Sequence, residues 1–273
     1  MRIIYILFLL TLCFLSACAK RNSATIQQPT NTFTAFEHRG NIFIKDQVGK
    51  VTRLTSLGKD RDPLISPDGN KLVFIRKSDR KAYLAIGDES DYIINGGSIL
   101  ADQIWMIHLA TMKEQNLVMD HDFHNAEDME NIIAFISDLC FTLDSKRLYF
   151  LTPCWATTSA LHVVMLDTLK EKFVCPAGSV EVVQGGEYRG HLVVSKHKYF
   201  IGGGSYDWYW LLTPEGKEVG PICSSEGEDW KAKIESAAEL HSTISGLTET
   251  ERAAFQMFTP APGQYIQNKK LNK

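Results

Sequence analysis

Four residues, Ser66-Pro67-Asp68-Gly69, constrain this chain more than any other stretch, because they turn two apolar segments back against each other. Pro67 presets φ at about −65° for the second corner, and Ser66 can hydrogen-bond the backbone ahead. Asp68 tolerates the bridge region, and Gly69 supplies the left-handed residue that ends a type I turn. Leu64 and Ile65 lead in, and Leu72, Val73, Phe74 and Ile75 lead out. The spacing therefore predicts a mostly buried antiparallel hairpin.

That hairpin is half of a unit that recurs between Phe33 and Cys223, the mark of a repeat architecture. The other half is an aromatic-rich strand, a polar turn and a second strand. It reads Asn41–Asp46 then Val51–Thr55, Gln103–Leu109 then Gln115–Val118, Leu161–Asp167 then Lys172–Cys175, and Trp208–Leu212 then Glu218–Gly220. The hairpin half returns as Leu139–Phe150, where Thr142 and Asp144 keep turn chemistry. It returns again as Leu192–Ser195 running through a turn at Ser195-Lys196-His197-Lys198 to Tyr199–Ile201. Phe33–Phe36, turning at Glu37 to Gly40, supplies one more strand. About fourteen or fifteen strands result, or about four units of a propeller blade each.

Arg53-Leu54-Thr55, Asp62-Pro63 and Ser66-Pro67-Asp68-Gly69 followed by Lys71-Leu72-Val73-Phe74 resemble the TolB-like (PD40) β-propeller repeat over residues 53–76. The resemblance implies a blade whose inner strands are the hairpin. The expected fold is all-β: a small or incomplete β-propeller of about four blade equivalents, each a four-stranded antiparallel sheet. A twisted β-sandwich of the same strands is the alternative. Two insertions interrupt the blades, Lys77 to Asp102 and the acidic Asp120 to Asn131. After residue 224 the period becomes helical over Glu228–Leu240, and Thr248-Glu249-Thr250-Glu251 reads as a capping box for a second helix through Phe258. The tail from Thr259 reads as disordered.

The amino terminus reads differently. Met1-Arg2 is a minimal basic region, and Ile3 to Leu15 is almost unbroken apolar sequence, too short for a comfortable membrane span. Leu15-Ser16-Ala17-Cys18 resembles a bacterial lipoprotein box. The resemblance implies a signal peptide over residues 1–17, cleavage before Cys18, a diacylglycerol thioether on its sulfur and an N-acyl chain on its new amino group. Several acyl chains give the stable anchoring that one does not. Ala19 is not Asp, which favours the outer membrane, facing the periplasm, in a Gram-negative cell. Residues 18–32 read as a flexible tether carrying the domain at residues 33–224.

Cys140, Cys154, Cys175 and Cys223 remain for an oxidising compartment. They allow three pairings, and isolated buried thiols fit their apolar settings equally well. Net charge is −3, which carries no electrostatic footprint for nucleic acid. His121 and His124 sit three apart beside acidic residues and are the only metal-ligand candidates, without a fixed third ligand; no metal or other non-covalent cofactor is expected. Gly202-Gly203-Gly204-Ser205 lacks the Lys-Ser/Thr of a phosphate loop and reads as turn chemistry. No Gly-x-Ser-x-Gly elbow is present. Strand alternation puts Trp208 and Trp210 on one face and Tyr209 on the other; packing between blades is the favoured reading, and one set lining an exposed recognition surface is the alternative. Trp155 reads the same way.

The expected function is a non-catalytic binding or scaffolding module of the cell envelope, held to the membrane by lipid and meeting another envelope protein. Two rival classes follow from the same fold and compartment. One is a metal-dependent hydrolase or lyase using the propeller channel, for which His38, His108 and His162 do not converge. The other is a periplasmic inhibitor or immunity protein.

Overall fold

Alternating apolar residues and short polar turns produce fifteen strands within residues 33–82, 99–121, 130–155, 158–199, 205–227 and 229–234, which the computed structural model describes. The first sheet orders β1 (Phe33–His38), β2 (Asn41–Asp46) and β3 (Val51–Arg53). The second orders β4 (Asp60–Ile65), β5 (Lys71–Ala82), β6 (Ile99–His108) and β7 (Lys113–Val118). The third orders β8 (Ser137–Phe141), β9 (Arg147–Trp155), β10 (Thr158–Met165) and β11 (Glu171–Ala177). The fourth orders β12 (Ser179–Val182), β13 (Leu192–Tyr199), β14 (Ser205–Leu212) and β15 (Glu218–Ser224). Every pairing is antiparallel and joins strands that follow one another in sequence.

The sheets stack face to face along an arc. Ile42 and Ile44 of the first pack on Leu72 and Phe74 of the second. Val73, Ile75 and Met106 of the second meet Leu148, Phe150 and Val164 of the third. Tyr149, Leu151 and Val163 of the third meet Leu192, Val194 and Leu212 of the fourth. The far face of the fourth sheet is covered by the one-turn helix α1 (Trp230–Lys233), through Trp230 and Ile234 on Val193, Leu211 and Ile222. Among the described residues no core joins the fourth sheet back to the first. The fold is an incomplete β-propeller.

The organising turn forms as its residues dictate. Gly69 has φ +71°, its N–H donates to Ser66 O at 2.8 Å, and Asn70 N–H donates to Asp68 Oδ1 at 3.0 Å. The third sheet repeats this with Thr142, Asp144 and Ser145, the last at φ +56°. Ser145 Oγ also accepts from Asp68 N–H at 3.0 Å, tying the two turns together.

Partial burial works to raise the Asp68 pKa, but bonds from Ser66, Asn70 and Lys71 hold it down at about 2, against 3.8 ordinarily. A depressed carboxylate pKa contributes stability that is complete above 3.8 and is lost as pH falls through 2. Asp68→Asn should therefore flatten the loss of melting temperature between about pH 4 and pH 2. With Asp68 35% exposed, the effect should stay near or below about 1 kcal/mol. Thermal melts of both proteins across that range read it directly, and parallel acid limbs would contradict it.

One expected turn is corrected. Ser195-Lys196-His197-Lys198 is the middle of the continuous strand β13, paired throughout with β14. Lys196 is tolerated there because its ammonium bonds Glu218 and lies 5.9 Å from the Trp210 ring, so its charge is paired within the sheet. The hairpin turn lies upstream, between β12 and β13, where Val183 N–H donates to His191 O at 2.9 Å. Elsewhere β5 and β6 continue into the first insertion, with Lys81 opposite Leu100. Residues 83–98, Gly202–Gly204 and the expected helix at 248–258 lie outside the described residues. Trp210 faces the third sheet and Tyr209 the helix side, as alternation required.

A polar column repeats at one register. In the second sheet Arg76 Nε and Nη2 bond the Asp60 carboxylate at 2.6 and 2.9 Å, Nη1 bonds Glu114, and the guanidinium lies 4.7 Å from the Trp105 ring. In the third, His162 Nε2 meets Thr152 Oγ1 at 3.1 Å and Nδ1 meets Glu171 Oε1 at 2.6 Å, with Phe150 stacked at 5.1 Å. In the fourth, Lys196, Trp210 and Glu218 hold the same places. In the first, His38 meets Phe43 edge-on at 6.3 Å, and Val51 stands where the others have glutamate.

Candidate functional site

The site begins with a bulge that the inner strands share. Pairing slips between Arg61 and Leu64 on β4 and between Ser137 and Cys140 on β8. The extra residue is an aspartate in left-handed conformation both times, Asp62 at φ +52° and Asp138 at φ +53°. Asp tolerates that region better than most side chains, and the bulge re-aims the residue before it.

The residue that precedes the bulge differs between the two strands. On β4 it is Arg61, with Nη2 2.7 Å from Asp102 Oδ2 and 2.9 Å from Ile136 O. Asp102, buried, also accepts Ile136 N–H at 3.0 Å and pairs with Lys77 at 2.8 Å. On β8 the equivalent residue is Ser137, whose hydroxyl donates to the neighbouring Asp138 carboxylate at 2.9 Å. Beside it, a pocket of about 750 Å³ opens where β8 of the third sheet, β12 of the fourth with its following loop, and α1 meet.

Leu139, Cys140, Val180, Val182, Trp230 and Ile234 give the pocket apolar walls, and the loop from Val183 to Tyr188 closes one side. Asp138, Glu181 and Glu187 stand on it against one cation, Lys231, which pairs with Glu181 at 3.6 Å. Asp229 caps α1 by accepting Lys231 N–H at 2.9 Å, and so fixes Trp230 over the pocket. Burial pushes the Cys140 thiol up to about 11, so it is neutral near pH 7 and acts as a small apolar surface. This is a site for holding an apolar group beside positive charge.

The sequence-predicted residues fall elsewhere. Cys18 and His124 lie outside the described residues. His121 follows β7 and bridges Ile133, and burial foremost lowers its pKa from the ordinary imidazole value. Among the described residues no three His, Cys, Asp or Glu side chains group as a metal site. Cys140, Cys154, Cys175 and Cys223 form no disulfide with one another, and burial raises Cys154 to about 12. His38 lies on β1, His108 ends β6 and His162 is enclosed in the third sheet, so they do not meet. Trp230 and the 183–188 loop were not singled out as site residues; Gly185-Gly186 between two apolar runs is the signal that marks the loop.

No protein-family model matches the chain, and no curated protein matches it. Solved structures do. Porphyromonas gingivalis dipeptidyl peptidase 4 is similar over 72% of this chain and 32% of its own, at 14% identity and TM-score 0.53. The β-propeller domain of the Trilobed protease from Pyrococcus furiosus, described as having an open velcro topology, is similar over 70% and 53%, at 14% identity and TM-score 0.41. XC5397 from Xanthomonas campestris, described as a gluconolactonase, is similar over 71% and 58%, at 13% identity and TM-score 0.39. The chain thus spans about a third of the length of the peptidase, and the likeness is one of propeller fold.

Proposed function

We propose that this chain is a lipid-anchored, non-catalytic binding module of a bacterial cell envelope, in which an arc of TolB-like repeats presents the pocket between its third and fourth sheets to another envelope protein. The pocket carries the reading: it is concave, of ligand-binding size, apolar in its walls and acidic on balance. Its thiol is held neutral, and the ionisable columns of the sheets are engaged with one another instead of facing it. The box ending at Cys18 supplies the anchor, through diacylglycerol and an N-acyl chain, and Ala19 directs it to the outer membrane.

Ser137→Arg tests the site, because it restores at the third sheet the arm that Arg61 extends from the second. Chemical crosslinking in intact cells, followed by mass spectrometry, should recover one reproducible envelope partner with the native chain. Recovery should fall about tenfold or more with Ser137→Arg, while far-ultraviolet circular dichroism stays unchanged. In the same cells Cys18→Ser should accumulate as unacylated precursor. Undiminished crosslinking by Ser137→Arg would remove the pocket from the function, and normal processing of Cys18→Ser would remove the anchor.

A further inference from the structure

The first sheet differs from the other three in two ways that point to one missing element. Each of the others has an inner strand bonded to its second strand: β4 on β5, β8 on β9 and β12 on β13. The strand equivalent to these second strands is β1, because Phe36 lies opposite Phe43 as Phe74 lies opposite Trp105 and Phe150 opposite His162. Among the described residues β1 pairs with β2 alone, so one edge of its backbone has no strand beside it. An unpaired edge is a template for an added strand.

The face around that edge is also uncovered. Phe74, Phe150 and Val194, each buried to 0% exposure against the preceding sheet, correspond to Phe36, which is 37% exposed and stacked on Phe43 at 5.4 Å. β4, the inner strand of the second sheet, packs against β1 as β12, the inner strand of the fourth, packs against β9. The fourth sheet of a second copy is not the natural cover, because Trp230 and Ile234 already occupy its outer face.

Charge narrows the occupant further. Arg39, Lys45, Lys50 and Arg53 are all exposed around this sheet. Its two carboxylates accept backbone N–H groups, Glu37 from Gly40 at 2.5 Å and Asp46 from Val48 and Lys50 at 3.1 and 2.8 Å, and the four cations exceed them by two. A basic, apolar face thus stands out on a chain of net charge −3.

We propose that the free edge of β1 takes up an extended segment of a partner protein as the missing inner strand, with apolar side chains toward the second sheet and acidic ones toward the cations. Main-chain hydrogen bonds supply the affinity in this mode, and side-chain alternation supplies the choice. The surface is separate from the pocket and stands or falls independently of it.

Amide hydrogen exchange on the full chain tests the proposal, with a short peptide alternating valine and glutamate as probe and its valine–lysine counterpart as control. The acidic peptide should slow exchange across Phe33–His38 about tenfold or more. The lysine peptide should not, added salt should weaken the effect, and Phe36→Asp should abolish it. Ser137→Arg should leave it intact. No slowing with either peptide overturns the proposal, and equal slowing with both overturns its acidic half. Slow exchange without peptide overturns it in favour of the chain's own residues covering the edge. The same result accompanied by a dimer in light scattering overturns it in favour of a second copy.

Discussion

Replacing Asp60 by alanine should destabilise the protein by about 3–5 kcal/mol, one of the two largest losses expected from a single side chain here. Asp60 is 1% exposed and takes both near oxygen contacts of the Arg76 fork, which itself is 6% exposed. Alanine would leave the guanidinium buried with only Glu114 on its other arm and Trp105 beneath it. The loss is mostly the cost of that stranded charge, and not the worth of the pair. The double variant Asp60→Leu with Arg76→Met should consequently recover most of the stability, because a packed apolar pair is often no worse than a buried ionic one. Urea denaturation of the single and double variants measures both quantities. A single variant that unfolds at the native midpoint, or a double variant no better than the single, would contradict this account.

Phe150→Ala should cost a similar amount, about 3–5 kcal/mol, by a different route. Phe150 is fully buried where the second and third sheets meet, and its ring stacks on His162 at 5.1 Å. Its removal opens a cavity in the core that joins those two sheets and takes away one flank of an imidazole held between Thr152 and Glu171. Phe150→Leu should recover more than half of the loss, since it refills most of the volume. Equilibrium unfolding gives the energies, and the one-dimensional proton spectrum of the His162 ring reports whether the imidazole keeps its hydrogen bonds.

Much of the architecture was legible because local chemistry and final structure agree. Ser66-Pro67-Asp68-Gly69 closes as a turn on its own terms, and Thr142 with Asp144 preserves that chemistry without proline or glycine. The alternation of Tyr209 and Trp210 divides them between two faces. What was not legible depends on partners distant in sequence. Lys196-His197-Lys198 looks like a solvated turn until Glu218 and Trp210 are brought to Lys196 by the third and fourth strands of the sheet. β12 has four residues with Glu181 among them, too little pattern to be read alone. The pocket joins β8, the loop after β12 and α1, which are far apart in sequence, and the equivalence of Ser137 to Arg61 is visible only after the bulges at Asp62 and Asp138 set the register.

The stacking of each sheet on its sequence neighbours, with no core among the described residues returning from the fourth sheet to the first, bears on how the molecule comes apart. A ring must break two seams to free a blade, but an arc releases its terminal member by opening one. The first sheet is held through Ile42 and Ile44 on Leu72 and Phe74, whereas the second and third are each clasped on both sides. Stability in such a linear array is approximately a sum of unit and neighbour contributions. The amino-terminal sheet is therefore the fraying end, and any strand received along β1 would act as a clamp on the part of the molecule that opens first.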